Sequence, residues 1–215
     1  MTMGTLPIDV YPMPTESELP ASTPQWKPDP RRAALLVHDM QQYFVDMFPA
    51  GQSPVTELVA NAARLRAAAA DLGLPVFYTA QPGRMSRADR GLLLDVWGEG
   101  MEGTPQQRQI VPELSPRDGD VVLTKWRYSA YLRTDFAERL AATGRDQLIV
   151  CGVYGHVGIL MTACDAFCRD VEVFLAADAI GDFTAAHHRS TLDYVAARCG
   201  VVASTRQLLE AISAP

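Results

Sequence analysis

Six short apolar runs, most of them followed by a segment of helical period, limit this chain more than any other feature does. The runs are Ala33–Val37, Val76–Thr79, Val121–Thr124, Gln147–Cys151, Val171–Ala176 and Gly200–Ala203. They are too short to span a bilayer, and their length and bounding turn residues suit strands. The first helix starts at Pro54, carries Val55, Leu58, Val59, Ala62, Leu65, Ala69 and Leu72 on one face, and stops at Gly73. Further helices are expected over Thr134–Ala142, with Thr134 as a cap and Phe136, Ala137 and Leu140 facing inward, over Val157–Cys168, over Ala185–Ala197, and from Thr205 onward. Alternation of this kind specifies right-handed crossovers and a mainly parallel sheet.

The chain divides into an arm over residues 1–30 and one α/β domain over 31–215. Pro7, Pro12, Pro14, Pro20, Pro24, Pro28 and Pro30 rule out a continuous element in the arm. Its apolar Tyr11, Leu19 and Trp26 point to a segment laid over the domain or over a partner subunit. Of the 215 residues, 48% are hydrophobic and 20% charged, and the net charge is -6. That balance argues against nucleic acid as a partner, while a small anionic substrate needs only a few local cations in a cleft. No membrane partner and no secretory leader are expected, which makes the expected location cytoplasmic. Cys151, Cys164, Cys168 and Cys199 lack the convergent partners of a zinc site and are read as reduced, largely buried thiols.

Ligands of open parallel sheets bind beyond the carboxyl ends of the strands. Four such ends carry polar or glycine-rich groups here: His38-Asp39, Gln81, Lys125 and Gly152–Gly158. Asp39 alone would pass as a helix cap. An acid, an amide and an amine at three strand ends go beyond what turns require, and this directs attention to catalysis. Lysine can hold the carboxylate ionised, or a desolvated carboxyl can deliver a proton; burial decides between the two. The glycine-rich stretch can cradle an anion with backbone N–H groups, but it is neither a dinucleotide fingerprint, a phosphate-binding P-loop nor a nucleophile elbow. Arg84, Arg87 and Arg90 recur every third residue within the long connection Gly83 to Gly103, and two of the three are expected to be solvated. Trp97 has a core-capping reading and His156 a structural one. His187 and His188 are taken as surface or interface residues.

Three longer segments then form a pattern. Leu36-Val37-His38-Asp39-Met40-Gln41, Lys125-Trp126-Arg127-Tyr128-Ser129-Ala130 and Cys151-Gly152-Val153-Tyr154-Gly155-His156-Val157-Gly158 resemble the isochorismatase-like hydrolases. Tyr11-Pro12-Met13-Pro14, Tyr78-Thr79-Ala80-Gln81-Pro82-Gly83, Arg90-Gly91-Leu92-Leu93 and Trp97-Gly98 extend the resemblance over nearly the whole chain.

The resemblance implies a three-layer α/β/α sandwich built on a six-stranded parallel sheet. Many members are amidases with an Asp-Lys-Cys triad, and Gly158 stands where their cysteine is expected. A chain with glycine there resembles instead the isochorismatase branch, which hydrolyses an enolpyruvyl ether. The substrate implied is 2-amino-2-deoxyisochorismate, with isochorismate as the alternative. Asp39 would be the general acid toward the vinyl methylene carbon, and Lys125 would orient it and offset substrate charge. Gln81 would bond the ring or enolpyruvyl part, Arg90 would clamp a carboxylate and Trp97 would pack on the ring. Tyr154 and Gly158 would bind the pyruvyl carboxylate through backbone groups and a phenol, with Phe44, Tyr128 and Gly155 completing the lining. The Val153–Tyr154 peptide is the bond expected to be cis. No cofactor or metal is implied. A homodimer is expected, and a fused carrier domain is not expected. The rival readings are a cysteine-independent family member acting on a different ether, an amide hydrolase, which needs a nucleophile near Gly158, and a non-catalytic pathway scaffold.

Overall fold

The computed structural model describes residues 8–102 and 104–213. Its strands are β1 (Ala33–His38), β2 (Val76–Ala80), β3 (Val121–Thr124), β4 (Gln147–Val153), β5 (Glu172–Gly181) and β6 (Gly200–Ala203). They form a six-stranded sheet in the order β3-β2-β1-β4-β5-β6, and every pairing is parallel. Residue alternation along the central strands divides the core in two. Leu35, Val37, Ile149 and Cys151 face one side, where helices α2 (Val55–Asp71) and α9 (Thr205–Ser213) pack. Ala34, Leu36, Leu148 and Val150 face the other, covered by α6 (Phe136–Ala142), α7 (Leu160–Phe167) and α8 (Ala185–Arg198). Each central strand is buried on both faces, so its sequence is a continuous apolar run with no polar alternation.

Several boundaries differ from the sequence expectation. β5 continues past Ala176 to Gly181, because the register against β4 shifts between Val150 and Gly152 and leaves extra residues on β5. Asp178 lies in that irregular stretch, where its carboxylate accepts from Thr205 N and Oγ1 at 2.6 and 2.7 Å at the start of α9. The helix expected from Val157 to Cys168 begins with a wide, π-type turn over Gly155–Ile159 before α7 takes over. At α6 the N-cap is Asp135, and Thr134 instead bonds Ala130 O and accepts from Phe136 N.

The order of the sheet reverses between β1 and β4, which opens a crevice at their carboxyl ends. Over that edge lie α1 (Gln42–Val45), α3 (Arg87–Arg90), α4 (Leu93–Trp97) and α5 (Pro105–Arg108). The two middle helices fall within the connection from Gly83 to Gly103, whose last residue lies outside the described residues. Residues 8–30 of the arm run along the domain, and residues 1–7 are not among those described. Asp9 N donates to Phe183 O at 2.8 Å, Thr23 N donates to Ala196 O at 2.8 Å, and Tyr11 is buried. Among the described residues, no helix is long and apolar enough to cross a membrane.

Gly152 is where β4 passes closest to β1. Its φ is +119°, and a Cβ there would lie 2.1 Å from the His38 carbonyl oxygen. Gly152→Ala therefore combines backbone strain with a collision between two main chains, which cannot relax as a side chain would. Its cost should be at least about 3 kcal/mol. Chemical denaturation of the purified variant measures this, and a wild-type midpoint would contradict the packing described.

Candidate active site

Asp39 follows directly on β1 and adopts φ +51°, a left-handed conformation that aspartate tolerates better than most residues. Thr79, on β2, holds it there. Its Oγ1 accepts from Asp39 N at 3.0 Å and donates to Asp39 Oδ1 at 2.5 Å. The other carboxylate oxygen, Oδ2, accepts from Lys125 Nζ at 2.9 Å. Lys125 leaves β3 with its N–H on the Ala80 carbonyl at 2.8 Å, which aims the side chain toward β1. Asp39 is 6% exposed and Lys125 2%, so the pair is shielded from water.

Burial is the largest influence on Asp39 and pushes its pKa upward. The charge of Lys125 and the hydrogen bonds from Thr79 and Lys125 outweigh it, so the carboxyl is held below the usual carboxylate range. The free site therefore contains a carboxylate, the first of the two alternatives that the sequence leaves open. His38 is driven the other way. Its burial, with Lys125 nearby, lowers the imidazole to about 4 and leaves it neutral. It is hydrogen-bonded through Nδ1 to Val153 O at 2.8 Å and through Nε2 to Thr162 Oγ1 at 3.3 Å.

Above the pair lies a cleft lined by Asp39, Phe44, Gln81, Arg90, Trp97, Lys125, Tyr128, Tyr154 and Gly158, so nine of the ten residues expected from sequence come together. Gly155 is the exception. A Cβ on it would meet Asp182 Oδ2 at 2.7 Å, so it packs against Asp182 and not the cleft. Tyr43, Met47, Met101, Arg127 and Phe183 also line the cleft and were not anticipated. Gln81 is fixed by the fully buried Gln41, which bonds both its N–H, at 2.7 Å, and its carbonyl, at 3.0 Å. Arg90 donates to Gly98 O at 2.9 Å and to Gln81 Oε1 at 3.4 Å, and among the described residues no carboxylate pairs with it. Arg84 and Arg87 are exposed, as expected for two of the three. Trp97 Nε1 donates to Tyr128 OH at 2.6 Å, which joins α4 to the segment after β3.

Three features depart from the sequence reading. The Tyr154 hydroxyl donates to Phe44 O at 2.9 Å, so its proton is already used and is not free for a carboxylate. His188 is buried, not at the surface. It meets the Tyr11 hydroxyl at 3.2 Å and Ala177 O at 2.9 Å. His156 has an acidic partner that spacing did not reveal. Its Nδ1 lies 2.6 Å from Asp182 Oδ1, and its ring stacks on exposed His187 with centroids 4.2 Å apart. His156, Asp182 and His187 form a group of metal-ligating type. Asp182, however, is fully buried, and its oxygens also accept from the N–H groups of His156 and Phe183.

The Val153–Tyr154 peptide is cis, as is Ser53–Pro54. A Cβ at Gly158 would lie 2.4 Å from His38 Cε1 and 3.3 Å from Lys125 Nζ, so the imidazole fills the space of any side chain there. Cys151 is sealed within β4, where its Sγ meets Leu36 O at 3.7 Å and burial pushes the thiol up to about 12.

Residues 33–207 match the family model described as Isochorismatase domain. The chain is 51% identical over 207 residues to phenazine biosynthesis protein PhzD1 of Pseudomonas aeruginosa, covering 96% of this chain and 99% of that one. It is also 51% identical over 203 residues to the isochorismatase of Bacillus subtilis, covering 94% of this chain but only 65% of that longer relative. A solved cysteine hydrolase from Pseudomonas syringae superposes with a TM-score of 0.79 at 24% identity, over 89% of this chain and 96% of that one, a likeness of fold.

Neutral His38 has a consequence for stability. Between its ordinary value of 6.5 and about 4, the unfolded chain takes up a proton that the folded chain refuses. Stability is then full above 6.5 and falls as pH drops toward 4, by at most about 3 kcal/mol from this residue. His188, also lowered by burial, adds in the same direction. Denaturation midpoints measured across this interval should fall with pH, and less steeply in His38→Gln. An equal slope in the variant would contradict the assignment.

Proposed function

Because the chain belongs to the isochorismatase family, we propose that it hydrolyses the enolpyruvyl ether of 2-amino-2-deoxyisochorismate to trans-2,3-dihydro-3-hydroxyanthranilate and pyruvate. The observation that carries this reading is the buried Asp39–Lys125 pair, set in a cleft whose guanidinium groups have no carboxylate partner among the described residues. Arg90, Lys125 and Arg127 face it with Asp39 as their counter-charge, which suits a substrate bearing two carboxylates.

Hydrolysis of a vinyl ether begins at carbon. Asp39 transfers its proton to the terminal methylene, which becomes a methyl group, and the ether oxygen shares the positive charge of the resulting oxocarbenium ion. Water adds to the oxocarbenium carbon, the one that bears the ether oxygen, and loses a proton back to the carboxylate. The hemiketal then collapses to pyruvate and the ring alcohol. The acid form of Asp39 has to arise on binding, since the free site holds it ionised. Substrate carboxylates add like charge beside it and displace water, and both effects raise its affinity for a proton. Lys125 keeps the carboxyl aimed and is placed to offset its negative charge once the proton has left.

No covalent acyl intermediate is needed. Cys151 is inaccessible within its strand, and position 158 offers no nucleophile. Isochorismate is the second candidate substrate, supported by the equal identity to the Bacillus subtilis isochorismatase. The reacting ether is the same in both, so kcat/KM for the two compounds, assayed side by side, decides between them.

Asp39→Asn keeps the shape of the side chain and removes its proton chemistry. Pyruvate release should fall by at least about 100-fold. Undiminished release would overturn the mechanism. In the wild type, kcat/KM should decline with rising pH across the neutral range, because the protonated fraction of Asp39 shrinks. Alkylation of accessible thiols with iodoacetamide should leave the rate intact, and inactivation by it would point to a cysteine.

A further inference from the structure

Arg127 lies two residues beyond Lys125 and lines the same cleft. Its Nη1 donates to two main-chain carbonyls, Asp89 O and Trp126 O, each at 2.7 Å. These bonds fix the guanidinium without neutralising it. The carboxylate of neighbouring Asp89 is taken by Arg133 at 2.9 Å and by Ser86 Oγ at 2.8 Å. Among the described residues, no carboxylate forms an ion pair with Arg127. Gly91 allows the side chain to pass, since a Cβ there would lie 3.0 Å from Nη2. The cleft therefore holds two anchored guanidiniums, Arg90 and Arg127, which repel each other until an anion lies between or beside them.

We propose that Arg127 is a second carboxylate-binding residue of this site and holds the ring carboxylate of the substrate; the inference rests on the function proposed above. The reacting vinyl carbon has to lie within reach of Asp39, which places the enolpyruvyl part toward Lys125 and Gly158. Arg127 lies two residues past Lys125 and is tied to Asp89 O, and the next residue, Tyr128, joins Trp97 at 2.6 Å in the same lining. A guanidinium fixed by its carbonyl bonds presents its remaining N–H groups as a preformed fork, with little freedom to lose on binding. Arg90, bonded to Gly98 O and Gln81, is then left for the second carboxylate.

The two products separate the two sites, because each carries one carboxylate. In Arg127→Met, KM for the substrate should rise roughly 10- to 100-fold with kcat little changed, the signature of lost uniform binding. Inhibition by the dihydroanthranilate product should weaken in step, while inhibition by pyruvate stays at its wild-type value. Arg127→Lys keeps the charge without the fork and should fall between the two. An unchanged KM in Arg127→Met, or equal weakening toward both products, would overturn the proposal. Should Arg127→Met fail to fold, the two inhibition constants are read on Arg127→Lys, where wild-type affinity for the ring acid overturns it. A wild-type enzyme that releases no pyruvate sinks the functional reading, and this assignment with it. An active wild type with an indifferent Arg127→Met sinks the role of Arg127 alone.

Discussion

A single ion pair, Asp39 Oδ2 to Lys125 Nζ at 2.9 Å, is the constraint around which this molecule is organised. Two charges withdrawn from water are costly to hold, and they persist only if hydrogen bonds and geometry satisfy what the solvent would have. Here Thr79 supplies one of those bonds and accepts the Asp39 backbone N–H with the same hydroxyl, and the sheet supplies the geometry. β1, β2 and β3 are adjacent in the sheet, so Asp39, Thr79 and Lys125 converge because their strands end side by side. The left-handed turn at Asp39 is the local cost of that convergence.

The same pair accounts for the character of the surroundings. Burial, reinforced by the charge of Lys125, lowers the imidazole of His38, and His38 in turn occupies the volume over Gly158. Aromatic rings close the remaining sides: Tyr154 packs against Phe44, Phe48 and Phe183, and Trp97 against Phe183. The ion pair beneath them is left almost without solvent contact, with Asp39 6% and Lys125 2% exposed. The excess of guanidinium groups over carboxylates at the mouth makes an anionic guest the natural counter-charge.

Most of the architecture was legible in the sequence, because strand-end chemistry and apolar runs are local signals. All six strands lie where apolar runs placed them, and the extension of β5 was hidden by Asp178, a polar residue in an irregular stretch that no periodicity marks. Asp39, Gln81 and Lys125 could be found from strand ends alone. Arg90, Trp97 and Phe44 required a resemblance, since they sit on the connections that cover the edge. Thr79 and Gln41 were missed because a threonine within a strand and a glutamine after one carry no sign of what they bond. The pairing of His156 with Asp182 spans 26 positions and is created entirely by the turn after β4 meeting the end of β5. The hydroxyl of Tyr154 was misassigned for a related reason, as its acceptor is a main-chain carbonyl on another element.

The contact between His38 and Gly158 also bears on how such a site can change over generations. Any side chain at 158 meets the imidazole at 2.4 Å, so substitution there is barred while His38 remains. A smaller residue at 38 would open the space, but it would remove the partner of Val153 O and of Thr162 and leave a void beside the ion pair. Each single step is therefore damaging, and only the two together restore a filled interior. A lineage carrying this pair is separated from one with a functional side chain at 158 by a valley two substitutions wide, which keeps the two chemistries apart even on a shared fold.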